Sequence, residues 1–175
     1  LVGGQLFVGS LWNKLYKKEL IGQSRFDTDL KINEDILFNF ELFRKAESSV
    51  FADYAKYNYI AHTTSSACFI TPDIKKMEDS CKVSYYMYQE LKNTALNKIA
   101  GERYARTLSG YYRLYARISK TKAEMIASDM WNIFRTGNLI GRNMKLTVML
   151  IHFCPRLYRM IYSIHDRVRK PNWEV

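Results

Sequence analysis

Tyr104-Ala105-Arg106-Thr107-Leu108-Ser109-Gly110-Tyr111-Tyr112-Arg113-Leu114-Tyr115-Ala116-Arg117-Ile118 is the stretch that decides the class of fold. Tyr104, Leu108, Tyr111, Tyr115 and Ile118 recur at steps of four, three, four and three. That is the period of one helix face, not the alternation of a half-buried strand. The face is mostly tyrosine, which packs its ring and keeps its hydroxyl wet or bonded. We read the stripe as core rather than as a ligand site. The helical texture continues on both sides. Downstream, Thr121 to Glu124 has capping-box spacing and predicts a helix through Ile126, Met130 and Ile133, closed by Gly137-Asn138. Met144 to Arg169 is a further helical stretch, broken or kinked at Pro155. Upstream, Thr71-Pro72-Asp73 joins a capping hydroxyl, a proline suited to the first helical position and an acid. It predicts a helix past Tyr88, Leu91 and Ala95 to about Ile99, where Gly101 weakens it.

The first third reads differently. Gln5 to Leu11 predicts a short strand. Leu11 to Ile21 is dense in Lys and Leu, with Gly22 as a stop. Gln23 to Asn33 has no periodicity and reads as a loop. Ile36, Phe40 and Phe43 then share one helix face, with Glu34 and Asp35 in the first turn, where the helix dipole favours negative charge. Ser48 and Ser49 end that helix. Val50 to Ala61 is rich in Tyr, Phe and Val and predicts a strand. It is apolar on both faces, as inside a sheet. The expected fold is therefore α+β and predominantly helical. Residues 1–68 form one part and residues 69–175 a helical C-terminal extension.

Composition bounds the function. The 175 residues are 47% hydrophobic and 25% charged, which excludes wholesale disorder. Lys plus Arg number 27 against 17 acids, a net charge of +10. From Leu1 to Tyr59 eight basic residues balance eight acids, so the whole excess lies in the second part. Such an excess points to nucleic acid, anionic lipid or phosphorylated ligands. Cys68, Cys81 and Cys154 form no close-spaced pair, so a reducing compartment is expected. No stretch reaches the ~18 uncharged apolar residues of a spanning helix. Leu1 to Val8 lacks the basic start of a signal peptide, and the chain is expected to begin inside a larger protein. Gly3-Gly4 and Gly9 fit no phosphate-loop fingerprint, His62, His152 and His165 lie far apart, and no Ser sits in a nucleophile elbow.

Glu34-Asp35 is the strongest chemical signal. By itself it reads as helix capping. Its surroundings add to that. Leu11-Trp12-Asn13-Lys14-Leu15-Tyr16-Lys17-Lys18 stands upstream and Phe26 lies between. An apolar helix, Tyr57-Asn58-Tyr59 and Ser65-Ser66 follow. The series resembles the second half of the catalytic domain of family-2 inverting glycosyltransferases, over roughly Gly9 to Ser66, about a third of the chain. The resemblance implies a GT-A fold of which residues 1–68 are the acceptor-side remnant. It implies transfer of a sugar from a nucleotide-sugar donor to a glycan or lipid-linked acceptor hydroxyl with inversion, in cell-surface polysaccharide synthesis. Asp35 falls in the position of the general base, which takes the acceptor proton as the new bond forms. Glu34 would orient the site or touch the acceptor, and Lys14 would bind the acceptor. Trp12 would stack on a sugar face or pack as a core aromatic.

The resemblance also implies a donor-binding first half with a metal-binding Asp-x-Asp after an apolar strand. Asp27-Thr28-Asp29 has those letters but follows Arg25-Phe26, and reads as a solvated loop. No metal ligand is therefore expected in this chain, although a divalent ion (Mg or Mn) is expected for the intact enzyme. The chain alone is expected to be inactive.

The last segment carries Arg142, Lys145, Arg156, Arg159, Arg167, Arg169 and Lys170 among apolar residues. It reads as a membrane-surface helix or as a helix docked on the bundle with solvated arginines. The membrane reading implies a cytoplasmic, peripheral location at the inner face of the membrane. Two other classes remain open: a basic helical nucleic-acid-binding module and a non-catalytic interaction domain on a membrane. Against the first, no helix-turn-helix or aromatic RNA-binding sequence is visible, and no nucleic-acid partner is expected. Half a sheet has open edges, which invite pairing of chains into a homo-oligomer.

Overall fold

The computed structural model describes residues 9–52, 58 and 73–169. Among them every regular element is a helix, and the fold is predominantly helical. The chain divides into two compact units between Met87 and Tyr88.

In the first unit, α1 is one turn, Lys18–Ile21, closed by Gly22 at φ 49°. The Lys/Leu-dense stretch before it is not helical. The N–H of Lys14 returns to the carbonyl of Leu11, and Lys17 is extended at ψ 136°. The same local bonds remove the strand expected from Gln5. Residues 9–11 are not a strand: the Gly9 and Leu11 carbonyls are taken by the Asn39 side chain and the Lys14 N–H, leaving neither for a ladder. Residues 5–8 lie outside the described residues. Residues 50–52 and 58 of the Val50 to Ala61 stretch form no strand, and the rest of it is outside the described residues.

α2 spans Glu34–Lys45. It begins after Asn33, which is left-handed at φ 67°, a conformation Asn tolerates. Its buried residues are Phe38, Asn39, Phe40 and Leu42, so the inward face is centred away from the expected Ile36 and Phe43. Phe38 stacks on Phe26 with centroids 4.4 Å apart, which turns the loop Gln23 to Asn33 back onto the helix.

α3 spans Ile74–Glu90 and crosses the division. Its first-unit part holds the loop and α2. Buried Asp79 accepts from the Lys31 N–H at 2.8 Å and from the Lys75 ammonium at 2.7 Å. Asn33 donates to Ser80, and the Tyr86 hydroxyl donates to Glu41 at 2.6 Å. Burial pushes the Asp79 carboxyl up, but Lys75 and the Lys31 amide outweigh it and hold it below its ordinary value.

The second unit contains α4, Asn97–Ile118, α5, Lys120–Arg135, α6, Arg142–Phe153, and α7, Pro155–Arg169. The helix expected to continue to Ile99 stops at Glu90. Thr94 bonds its hydroxyl to the Leu91 carbonyl and accepts from the Leu96 N–H, competing locally with the helix ladder. α4 then buries Tyr104, Leu108, Tyr112 and Tyr115. α4 packs on α5, α5 on α6 and α6 on α7, and α6 also reaches α4. Ala123, Ile126, Met130, Ile133, Val148 and Ile151 fill the space between them. α5 starts at Ser119, whose hydroxyl accepts from the Lys122 N–H, two residues before the expected Thr121. It ends in a Schellman motif: Gly137 at φ 74°, its N–H on Phe134 and the Asn138 N–H on Ile133.

Two contacts hold the α5–α6 turn, one to the end of α3 and one to α4. The Asn138 amide donates to the Tyr88 hydroxyl at 2.8 Å. Glu102 accepts from the Ile140 N–H at 2.9 Å, the Gly141 N–H at 2.5 Å and Arg106 at 2.6 Å. Gly141 is the N-cap of α6, so a carboxylate from another helix supplies the cap its own sequence lacks. Between α6 and α7 the chain breaks at Cys154, φ −135° and ψ 60°. A residue before proline is driven out of the helical region, and Pro155 then starts the next helix without a lost donor.

Candidate functional site

The segment Gly9 to Tyr16 lies over the first two turns of α2. Gly9 comes so close to Ile36 that a Cβ there would overlap the isoleucine side chain. Asn39, fully buried, holds the segment at both ends: its amide donates to the Gly9 carbonyl and its oxygen accepts from the Tyr16 hydroxyl. Lys14 closes the turn between them, donating to the Ser10 carbonyl at 2.6 Å and to the Asn13 side chain at 2.8 Å.

This fastening brings Lys14, Tyr16 and Asp35 into one electrostatic neighbourhood. Burial lowers the affinity of the Lys14 amine for its proton, while the nearby Asp35 carboxylate opposes that shift. Burial raises the Tyr16 phenol, and Asp35 raises it further. Asp35 is half-buried in the first turn of α2, and its Oδ1 accepts from the Ile36 N–H at 2.7 Å. Its Oδ2 has no hydrogen bond among the described residues. Chemically the group offers one open carboxylate oxygen beside a cation held in place by backbone.

Of the residues singled out from sequence, Asp35 and Lys14 are thus neighbours. Glu34 shares the first turn of α2. Trp12 stands in the same Leu11–Lys14 turn with 45% of its surface exposed, so it is not a core aromatic. Asn39, Tyr16 and Gly9 were not singled out. Asn39 could have been: it is one polar residue inside the run Ile36-Leu37-Phe38-Asn39-Phe40, four after Asp35 and so on the same helix face.

Asp27-Thr28-Asp29 forms a turn in which Asp27 accepts from the Asp29 N–H at 3.0 Å and lies 3.6 Å from the Lys82 ammonium. Among the described residues no three His, Cys, Asp or Glu groups converge to hold a metal ion. These residues do not fit the divalent ion of the resemblance, and no step here runs through one.

Also among the described residues, no helix is long and apolar enough to cross a membrane. α7 nevertheless leaves Leu157, Met160, Ile161 and Ile164 exposed, at the spacing of one helix face. Leu146, Met149 and Phe153 of α6 are exposed as well. No protein-family model, curated protein or solved structure matches the chain.

Proposed function

We propose that the chain is the acceptor-side part of a GT-A inverting glycosyltransferase, in which Asp35 takes the proton from an acceptor hydroxyl. The observation that carries this reading is the open Oδ2 of Asp35 beside Lys14, in the Trp-Lys-Tyr then Glu-Asp order of the family resemblance. An alcohol is a poor nucleophile, and inversion needs a carboxylate on the side opposite the departing nucleotide. In this reading Lys14, in the electrostatic neighbourhood of Asp35, and Glu34, in the same first turn of α2, hold the acceptor. Trp12 offers an exposed ring for a sugar face. On the same reading the donor nucleotide and its metal are bound by the donor-binding half of the family's catalytic domain, not by the residues around Asp35.

The test is transfer by the intact enzyme carrying Asp35→Asn. The amide keeps the shape and helix start, so folding persists while the base is lost. The transfer rate falls by about 10² to 10⁴, with donor affinity unchanged. Transfer at the parental rate would remove Asp35 from the role.

A second reading, peripheral binding to an anionic membrane surface, is favoured by the outward apolar stripe of α7 with Arg156 and Arg159 beside it. The two are compatible in an enzyme with a lipid-linked acceptor.

A further inference from the structure

Where α7 meets α4, side chains enclose a cleft of about 200 Å³. Its lining includes Arg113, Arg117, Arg159, Tyr158, Tyr162 and Ser163. Three arginines line one space, and among the described residues no carboxylate lines it. None of the three forms an ion pair among the described residues. Like charges so placed repel one another, and an anion between them relieves the repulsion.

The cleft is built rather than incidental. The Arg113 guanidinium lies 4.3 Å from the Tyr162 ring centroid and 3.4 Å from the Tyr158 hydroxyl, so its direction is fixed before any ligand arrives. Tyr158 is buried and wedged edge-on against Tyr112. Having accepted from Arg113, the Tyr158 hydroxyl still has its own proton to donate. The Tyr162 and Ser163 hydroxyls add further polar groups to the wall. Arginine forks and hydroxyls together match the tetrahedral oxygens of phosphate. Size narrows the ligand. Pockets for drug-sized molecules hold about 300–1,000 Å³, so this one has no room for a whole nucleotide.

We propose that the cleft binds a phosphate or diphosphate group, presented by a soluble phosphate ester or by a lipid headgroup. The proposal does not depend on the assignment of Asp35. Inorganic pyrophosphate is the first probe, titrated calorimetrically into the 175-residue chain in low-salt chloride buffer. Saturable binding is expected. Arg159→Gln and Arg117→Gln, both at exposed positions, each weaken it by about tenfold or more, the effect of one charge-assisted hydrogen bond. Arg113→Gln does the same if it melts like the parent, and Arg135→Gln on α5 is the neutral control. The second probe is a phosphatidylcholine vesicle containing phosphatidic acid. Pyrophosphate that displaces the chain from it assigns the cleft to a headgroup; pyrophosphate that binds without displacing assigns it to a soluble ester. No pyrophosphate binding, or binding that Arg159→Gln and Arg117→Gln leave unchanged, overturns the proposal.

Discussion

Gly101 shows how one missing methyl group fixes a packing arrangement. A Cβ there would come within 2.6 Å of the Asn138 carbonyl oxygen and 3.2 Å of the Tyr88 ring. Alanine is worth about 1 kcal/mol more than glycine inside a helix. Overpacking against backbone costs about 1–3 kcal/mol, so Gly101→Ala destabilises the protein despite the better propensity. A melting curve checks this, and a raised midpoint would contradict it. Glu102 beside it gives a pH dependence. Burial pushes its carboxyl up, but the Gly141 and Ile140 amides and Arg106 more than compensate and hold it below the ordinary carboxylate value. A lowered acid contributes its stability above the unfolded value, about 4.3, and loses it as the pH falls through the folded value. Glu102→Gln is therefore expected to lose about 1–3 kcal/mol at neutral pH and to show a flatter acid limb in urea unfolding. An unchanged acid limb would assign the effect elsewhere. Neither residue was legible as structural in the sequence. Gly101 read as a weak point in a helix, because periodicity reports the face a residue occupies but not what approaches it. Asp35 was singled out by the order of its neighbours, and the structure adds only that Lys14 and Tyr16 lie in its electrostatic neighbourhood. The buried fastening by Asn39 depends on a contact thirty residues away and left only its odd polarity as a trace.

Helices with strong periodicity could be read directly, and their ends followed local chemistry. The Gly137 stop of α5 was visible as a left-handed position after a periodic run. The halt at Glu90 was not, because apolar spacing continues across Leu91 and Ala95 while Thr94 redirects the backbone. In the stretch before α1 the Lys and Leu content fits a helix, yet only Lys18–Ile21 is helical, because Lys14 and the Gly9 carbonyl are committed to other partners, while Gly22 is the stop expected. The expected strands fell partly on residues 9–11 and 50–52, which are not strands, and otherwise outside the described residues. At this scale α7 makes the sharpest prediction. Its stripe of Leu157, Met160, Ile161 and Ile164 is exposed, so Ile161→Glu leaves the melting point in place. It weakens flotation with anionic vesicles, through a charge placed in the apolar face. Equal recovery with and without vesicles for the parent chain would end the membrane reading.

For the molecule as a whole, the charge is what the sequence stated most plainly: a neutral first third and a basic remainder. The structure adds that part of the excess gathers around one cleft while other cations lie scattered on helix surfaces. Binding by the cleft should therefore survive moderate salt better than the diffuse attraction of the surface to anionic vesicles, which is screened within about 10 Å at 0.1 M. The break between α6 and α7 has a practical outcome as well. Cys154 sits exposed at that joint, whereas burial pushes the Cys81 thiol up to about 12. With Cys68 replaced by serine, a maleimide dye at neutral pH attaches to Cys154 and spares Cys81. A single fluorophore is then carried beside the outward face of α7, where its colour reports when that face leaves water.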